Sequence, residues 1–138
     1  MNSRRIVAGA VALVAMLALG LTSCGPRPAT LSVEMQDFHF VPNQWAVPAG
    51  ALVTLNVKNT GTQVHEWVIM KKDDKAVTPW DGHPDNENHI FWELDDVEPG
   101  NVKSATFTAP TEPGDYEIVC GTPDHIEKGM TGTLTVFP

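Results

Sequence analysis

The chain has 138 residues, 42% of them hydrophobic, with nine basic against 17 acidic side chains and a formal net charge of −8. That length suits one domain around one core. An acidic balance of this kind argues against nucleic acid as a partner and favours a cationic protein or patch.

The first 23 residues differ in character from the rest. Arg4 and Arg5 precede a run from Ile6 to Leu21 that is apolar apart from small glycines. The run is shorter than the roughly 20 apolar residues that span a bilayer, so it reads as a secretory signal. Ser3-Arg4-Arg5 hints at a twin-arginine signal, but Val7 stands where Phe is usual, which favours ordinary export. Leu21-Thr-Ser-Cys24 is similar to a bacterial lipobox, in which Cys24 is acylated and becomes the mature N-terminus. The expected organisation is a lipoprotein signal over 1–23, a lipidated N-terminus with a short Pro-containing linker over 24–30, and one domain over 31–138. The expected place is outside the cytoplasmic membrane, anchored to its outer face or in a periplasm. Without Arg4 and Arg5, seven basic and 17 acidic residues remain, a net charge of −10.

After the linker the apolar period is two. Leu31, Val33 and Met35 alternate, and Phe38 and Phe40 flank His39, which reads as an ordinary strand histidine. Asn43 to Val47 is a short strand closed by Pro48-Ala49-Gly50. Val53, Leu55 and Val57 alternate with Thr54, Asn56 and Lys58, a half-buried strand. Gln63–Met70, Ser104–Thr108, Asp115–Cys120 and Gly132–Phe137 add four more, separated by Asn59-Thr-Gly, Glu98-Pro-Gly and Pro110-Thr-Glu-Pro-Gly114. Many short strands at this spacing predict an all-β, two-sheet Greek-key sandwich. Lys71 to Glu98 is expected to be a long loop pinned by Trp80 and Trp92. Asp81, His83 and His89 could form a second metal site within it, although a solvated loop is the simpler reading.

The chemistry concentrates near the C-terminus, in Cys120-Gly-Thr-Pro-Asp-His125-Ile-Glu-Lys-Gly-Met130. A second imidazole, His65, follows Asn59-Thr-Gly-Thr-Gln-Val far upstream. Two His and one Cys in a trigonal plane, with a weak axial Met, form the ligand set of a blue-copper electron-transfer site. If Cys24 carries lipid, Cys120 is the one thiol of the folded domain, left free in an oxidising compartment. A bound metal would protect it. His125 is expected to present the exposed edge of the site, with the Asp124 carboxylate beside it.

The order of these motifs resembles the cupredoxins over residues 30 to 138. Phe40-Val-Pro-Asn, Val47-Pro-Ala-Gly50, Asn59-Thr-Gly with His65, and Pro113-Gly-Asp-Tyr116 all fall in that family's sequence, followed by the C-terminal ligand loop. The Cys-x4-His-x4-Met spacing and the lipid anchor look most like the membrane-anchored, auracyanin-type members. The resemblance implies a Greek-key cupredoxin sandwich holding one type 1 copper ion, with His65, Cys120, His125 and Met130 as ligands. Two residues depart from the family pattern. Glu66 replaces the Asn that often follows the first His, and Pro123-Asp124-His125 replaces Pro-Gly-His.

The function expected from this set is a membrane-tethered one-electron carrier, monomeric, shuttling between redox complexes, with a cationic cytochrome or membrane complex as partner. The alternative is an exported copper-binding protein that delivers or buffers copper for oxidase assembly. An enzyme is not expected, because a binuclear oxidase-type centre would need a second thiolate beside Cys120.

Overall fold

In the computed structural model, residues 25–80 and 88–138 are described; the leader, Cys24, Asp81 and His83 lie outside them. Nine strands follow one another along this part of the chain: β1 (Ala29–Gln36), β2 (His39–Val41), β3 (Gln44–Pro48), β4 (Leu52–Asn59), β5 (His65–Met70), β6 (Ile90–Val97), β7 (Val102–Thr108), β8 (Gly114–Val119) and β9 (Thr131–Phe137). They build two sheets, a four-stranded one ordered β2-β1-β4-β7 and a five-stranded one ordered β3-β9-β8-β5-β6. The pairs β1–β4 and β3–β9 are parallel and the others antiparallel. The architecture is the all-β, two-sheet sandwich that the alternation predicts.

The two-residue period explains which faces meet. On β4, Val53, Leu55 and Val57 are buried while Leu52 and Lys58 face water. Leu31, Val33 and Met35 of β1 join them from the same sheet, and Trp45, Val47, Ile69, Ile118, Leu134 and Val136 come from the other. Each such side chain is worth about 1.5–3 kcal/mol relative to exposure, so the interleaved faces drive the sandwich together. Trp67 sits at the centre, edge-on to Trp45 with ring centroids 5.5 Å apart, and near Trp92 and Phe107.

The Lys71–Glu98 stretch is not a loop throughout. Ile90–Val97 is the edge strand β6, paired with β5. Its alternation is diluted because its inward side chains Trp92 and Leu94 are only half-buried, Ile90 packs on the opposite face with Val68 and Met70, and Asp95-Asp96 interrupts the pattern. Residues 76–80, from the segment before it, fold over the outer face of the five-stranded sheet. There Trp80 is buried against Val68, Met70 and Val119, so the expected pinning by tryptophan holds. This cover explains why β5 is buried on both faces from Trp67 to Met70. The Trp80 amide also donates to Glu127 Oε1 at 3.2 Å, which ties the cover to the C-terminal loop.

Candidate metal centre

Three elements deliver the predicted ligands to one end of the sandwich. His65 opens β5, Cys120 follows the last residue of β8, and Met130 immediately precedes β9. Strands β8 and β9 are hydrogen-bonded neighbours, so Cys120 and Met130 start side by side. The Cys120 amide donates to the Met130 carbonyl at 3.1 Å, and the Met130 amide donates to the His125 carbonyl at 2.9 Å. These bonds close the 121–129 segment into a compact loop. Gly129 turns it with φ +95°, a conformation open to glycine at no steric cost.

The donor atoms converge. His65 Nδ1 lies 3.2 Å from His125 Nδ1, Cys120 Sγ lies 3.4 Å from His125 Nδ1, and Cys120 Sγ lies 3.8 Å from His65 Nδ1. The centre of a triangle with these sides is about 2.0 Å from each corner, close to the length of a first-row metal–imidazole bond. His65, Cys120 and Met130 are completely buried and His125 is 1% exposed. Met130 is buried with them, and its backbone is hydrogen-bonded to both Cys120 and His125. The expectation that His125 offers an exposed edge is corrected. The Phe38 ring stands edge-on to it with centroids 5.1 Å apart, and Gln63 Oε1 lies 3.3 Å from its Nε2.

The outer nitrogens show that the pocket suits a cation. His65 Nε2 lies 3.2 Å from Asp37 Oδ1, and His125 Nε2 faces the Gln63 side-chain oxygen. When both outer nitrogens donate, both Nδ1 atoms carry lone pairs that face each other beside the sulfur. A metal cation held among them would turn that repulsion into ligation. Burial holds both imidazoles below the usual histidine range, and it pushes the Cys120 thiol up. Neutral imidazoles are ready ligands, and binding a metal would release the thiol proton.

The surrounding bonds hold the triangle in place. Buried Asn59 donates to the carbonyls of Gln63 and Val97, both at 2.7 Å, and accepts from the Gly61 amide. The turn leading to His65 is therefore anchored to β6. The Glu66 amide donates to Cys120 Sγ at 3.4 Å, and the Thr122 hydroxyl donates to the Val64 carbonyl at 3.0 Å. These two bonds connect the ligand loops although Glu66 replaces the customary Asn.

Two carboxylates lie near the site, and the charge of one of them, Asp124, acts on His125. Asp124 is exposed, in a left-handed conformation with φ 67° that Asp tolerates. Glu66 lies against Gly121, so closely that a Cβ there would fall 2.0 Å from its Oε2. Burial, and then the charges of Asp96, Asp95 and Glu93, raise its pKa to about 7. It is therefore half-protonated near neutrality, not the fixed negative charge that an isolated Glu would be.

Asp37, Phe38 and Gln63 were not legible as parts of the site. Asp37 and Phe38 form the turn between β1 and β2, and sequence order puts Asp37 28 positions from the histidine it touches. His39 is exposed on β2 and bonded to the Asp37 carbonyl, in keeping with its structural reading. His89 pairs with Asp74 at 2.9 Å; the rest of the suggested second metal site lies outside the described residues.

A family model described as a cupredoxin-like domain matches residues 9–136. Auracyanin-B of Chloroflexus aurantiacus is 32% identical over 114 residues, which is 72% of this chain, and the match covers 47% of that protein. This chain thus spans about half the length of that curated relative. Among solved structures, auracyanin from Roseiflexus castenholzii superposes with a TM-score of 0.69 at 28% identity, covering 83% of this chain and all of that one. Auracyanin A, a "blue" copper protein from Chloroflexus aurantiacus, gives 0.68 at 26% identity, covering 80% of this chain and 99% of that one.

The chain belongs to the cupredoxin-like family. Within that family it is auracyanin-like. The cofactor this membership and donor set define is one type 1 copper ion, and the residues present fit it.

Proposed function

We propose that the protein is a blue-copper one-electron carrier, with His65, Cys120, His125 and Met130 holding the ion. The observation that carries this reading is the closed triangle of His65, Cys120 and His125 donors at 3.2–3.8 Å, with every proposed ligand buried. Bound copper would supply one-electron exchange between its two oxidation states. The chain's own residues limit what moves during that exchange: the ligands are held by backbone bonds and packing that do not depend on the metal.

The burial also weighs against copper delivery, since handing over a metal ion requires a partner's ligands to reach it. Acylation of Cys24 would tether the carrier outside the cytoplasmic membrane. The acidic surface suits a cationic redox partner by long-range attraction. The test is to load the purified domain with copper, count the metal and record its visible spectrum and electron self-exchange. One copper with intense blue absorption and rapid exchange is expected; a colourless complex overturns the proposal.

A further inference from the structure

We propose that Asp37 is the positioning residue for His65: its carboxylate fixes the imidazole tautomer that leaves Nδ1 free for the metal. The inference rests on the reading above that His65 holds copper. It concerns a contact made by the β1–β2 turn, away from the ligand loops.

The geometry is specific. Asp37 Oδ1 sits 3.2 Å from His65 Nε2 and accepts from the amides of Thr62 at 2.8 Å and Gln63 at 3.3 Å. Its Oδ2 accepts from the Thr62 hydroxyl at 2.7 Å. The carboxylate is therefore clamped by the chain that leads into His65, not left to swing in solvent. Gly61 makes the approach possible, because a Cβ there would lie 2.3 Å from Oδ1 and 2.9 Å from His65 Nε2. The turn that carries Asp37 is itself held open by an unusual backbone. Phe38 adopts φ 65°, a region that bulky side chains avoid, and its ring is fixed between His125 and the Lys128 ammonium, 4.6 Å from the centroid.

An ionised carboxylate only accepts hydrogen bonds, so Nε2 must carry the proton and Nδ1 the lone pair. That lone pair points to the Cys120 sulfur and His125 Nδ1. A carboxylate behind a metal-bound imidazole also makes it a stronger donor. The two histidines are thus unequal: a charged acceptor backs His65, and a neutral amide oxygen backs His125. The charge favours the oxidised ion, so Asp37 should lower the midpoint potential.

Three variants separate positioning from mere support of the turn. Asp37→Asn keeps the shape and removes the charge, Asp37→Ala removes both, and Thr62→Val cuts the Oδ2 tie while leaving Oδ1 on His65. In the copper-free protein, nitrogen-15 NMR should find His65 protonated at Nε2 in the original and in Thr62→Val, and a mixture of tautomers in Asp37→Ala. Copper affinity should fall about 10- to 100-fold in Asp37→Ala. Asp37→Asn should stay blue with a raised midpoint potential. The proposal is overturned if Asp37→Ala keeps a single Nε2–H tautomer and its copper affinity, or if Thr62→Val reproduces its losses. Should the original protein bind no copper, the proposed function fails, while the copper-free NMR still decides the role of Asp37.

Discussion

The backbone amide of Glu66 points at the sulfur of Cys120 from 3.4 Å, so the residue after one proposed ligand braces another 54 positions away. The Cys120 sulfur also lies 3.4 Å from the Thr122 hydroxyl oxygen. A sulfur held by neighbours on both ligand loops has little freedom to move when charge at the site changes. The neighbours that hold this sulfur can be changed singly.

Cys120→Ser should abolish blue absorption in the copper-loaded domain, because the thiolate is lost while the fold keeps a small side chain. Met130→Leu should remain blue and show a higher midpoint potential, since the weak axial ligand tunes redox balance. Absorption spectroscopy with protein-film voltammetry checks both. An unchanged potential in Met130→Leu would show that Met130 serves only as core.

Glu66 gives a pH signature. Its folded pKa of about 7 lies above the ordinary 4.5, so the folded state binds more protons than the unfolded state between those values. Its favourable contribution is therefore complete below the lower value, declines across the interval and is gone above the upper one. The groups facing it are Glu93, Asp95 and Asp96 of β6, with Gly121 against its carboxyl. The copper-free Glu66→Gln variant should lose this decline and be more stable than the original at about pH 8. Thermal unfolding at several pH values checks this; parallel curves for both proteins would contradict it.

Gly132→Ala tests the join between β9 and the site end of the core. A Cβ at this position would fall 2.7 Å from the Asn43 carbonyl oxygen and 2.8 Å from the ring of buried Trp45. Neither a backbone carbonyl nor a packed indole can yield cheaply, so the substitution should cost about 1–3 kcal/mol. Urea unfolding should show a lower midpoint with an unchanged slope.

Strand β6 carries the partner prediction. Glu93, Asp95 and Asp96 are exposed on the outermost strand of the five-stranded sheet, where charge also discourages edge-to-edge pairing. Replacing them with Gln, Asn and Asn should slow second-order electron transfer to a basic cytochrome at low salt. The difference should fade as the Debye length shrinks from about 30 Å at 0.01 M to about 8 Å at physiological ionic strength. The copper spectrum should not change. Equal rates at every salt concentration would confine these residues to protecting the edge and acting on Glu66.

The amino-acid sequence by itself determined the strand pattern outside β6, the all-β sandwich and the residues of the proposed ligand set. Alternating burial along Leu31–Met35 and Val53–Val57 is a local property, and Cys120, His125 and Met130 lie within one short loop whose spacing can be read directly. Only the tertiary structure decided what surrounds the site. Asp37 reaches His65 because the β1–β2 turn and the 60–63 segment meet at the same end of the sandwich. Phe38 covers His125 for the same reason, which removes the exposed edge that sequence order suggested. Strand β6 escaped notice because an edge strand buries too little of each side chain to show a clear period. Local chemistry is written along the chain, whereas the groups that orient, cover and charge a site come from segments brought together only when the two sheets pack.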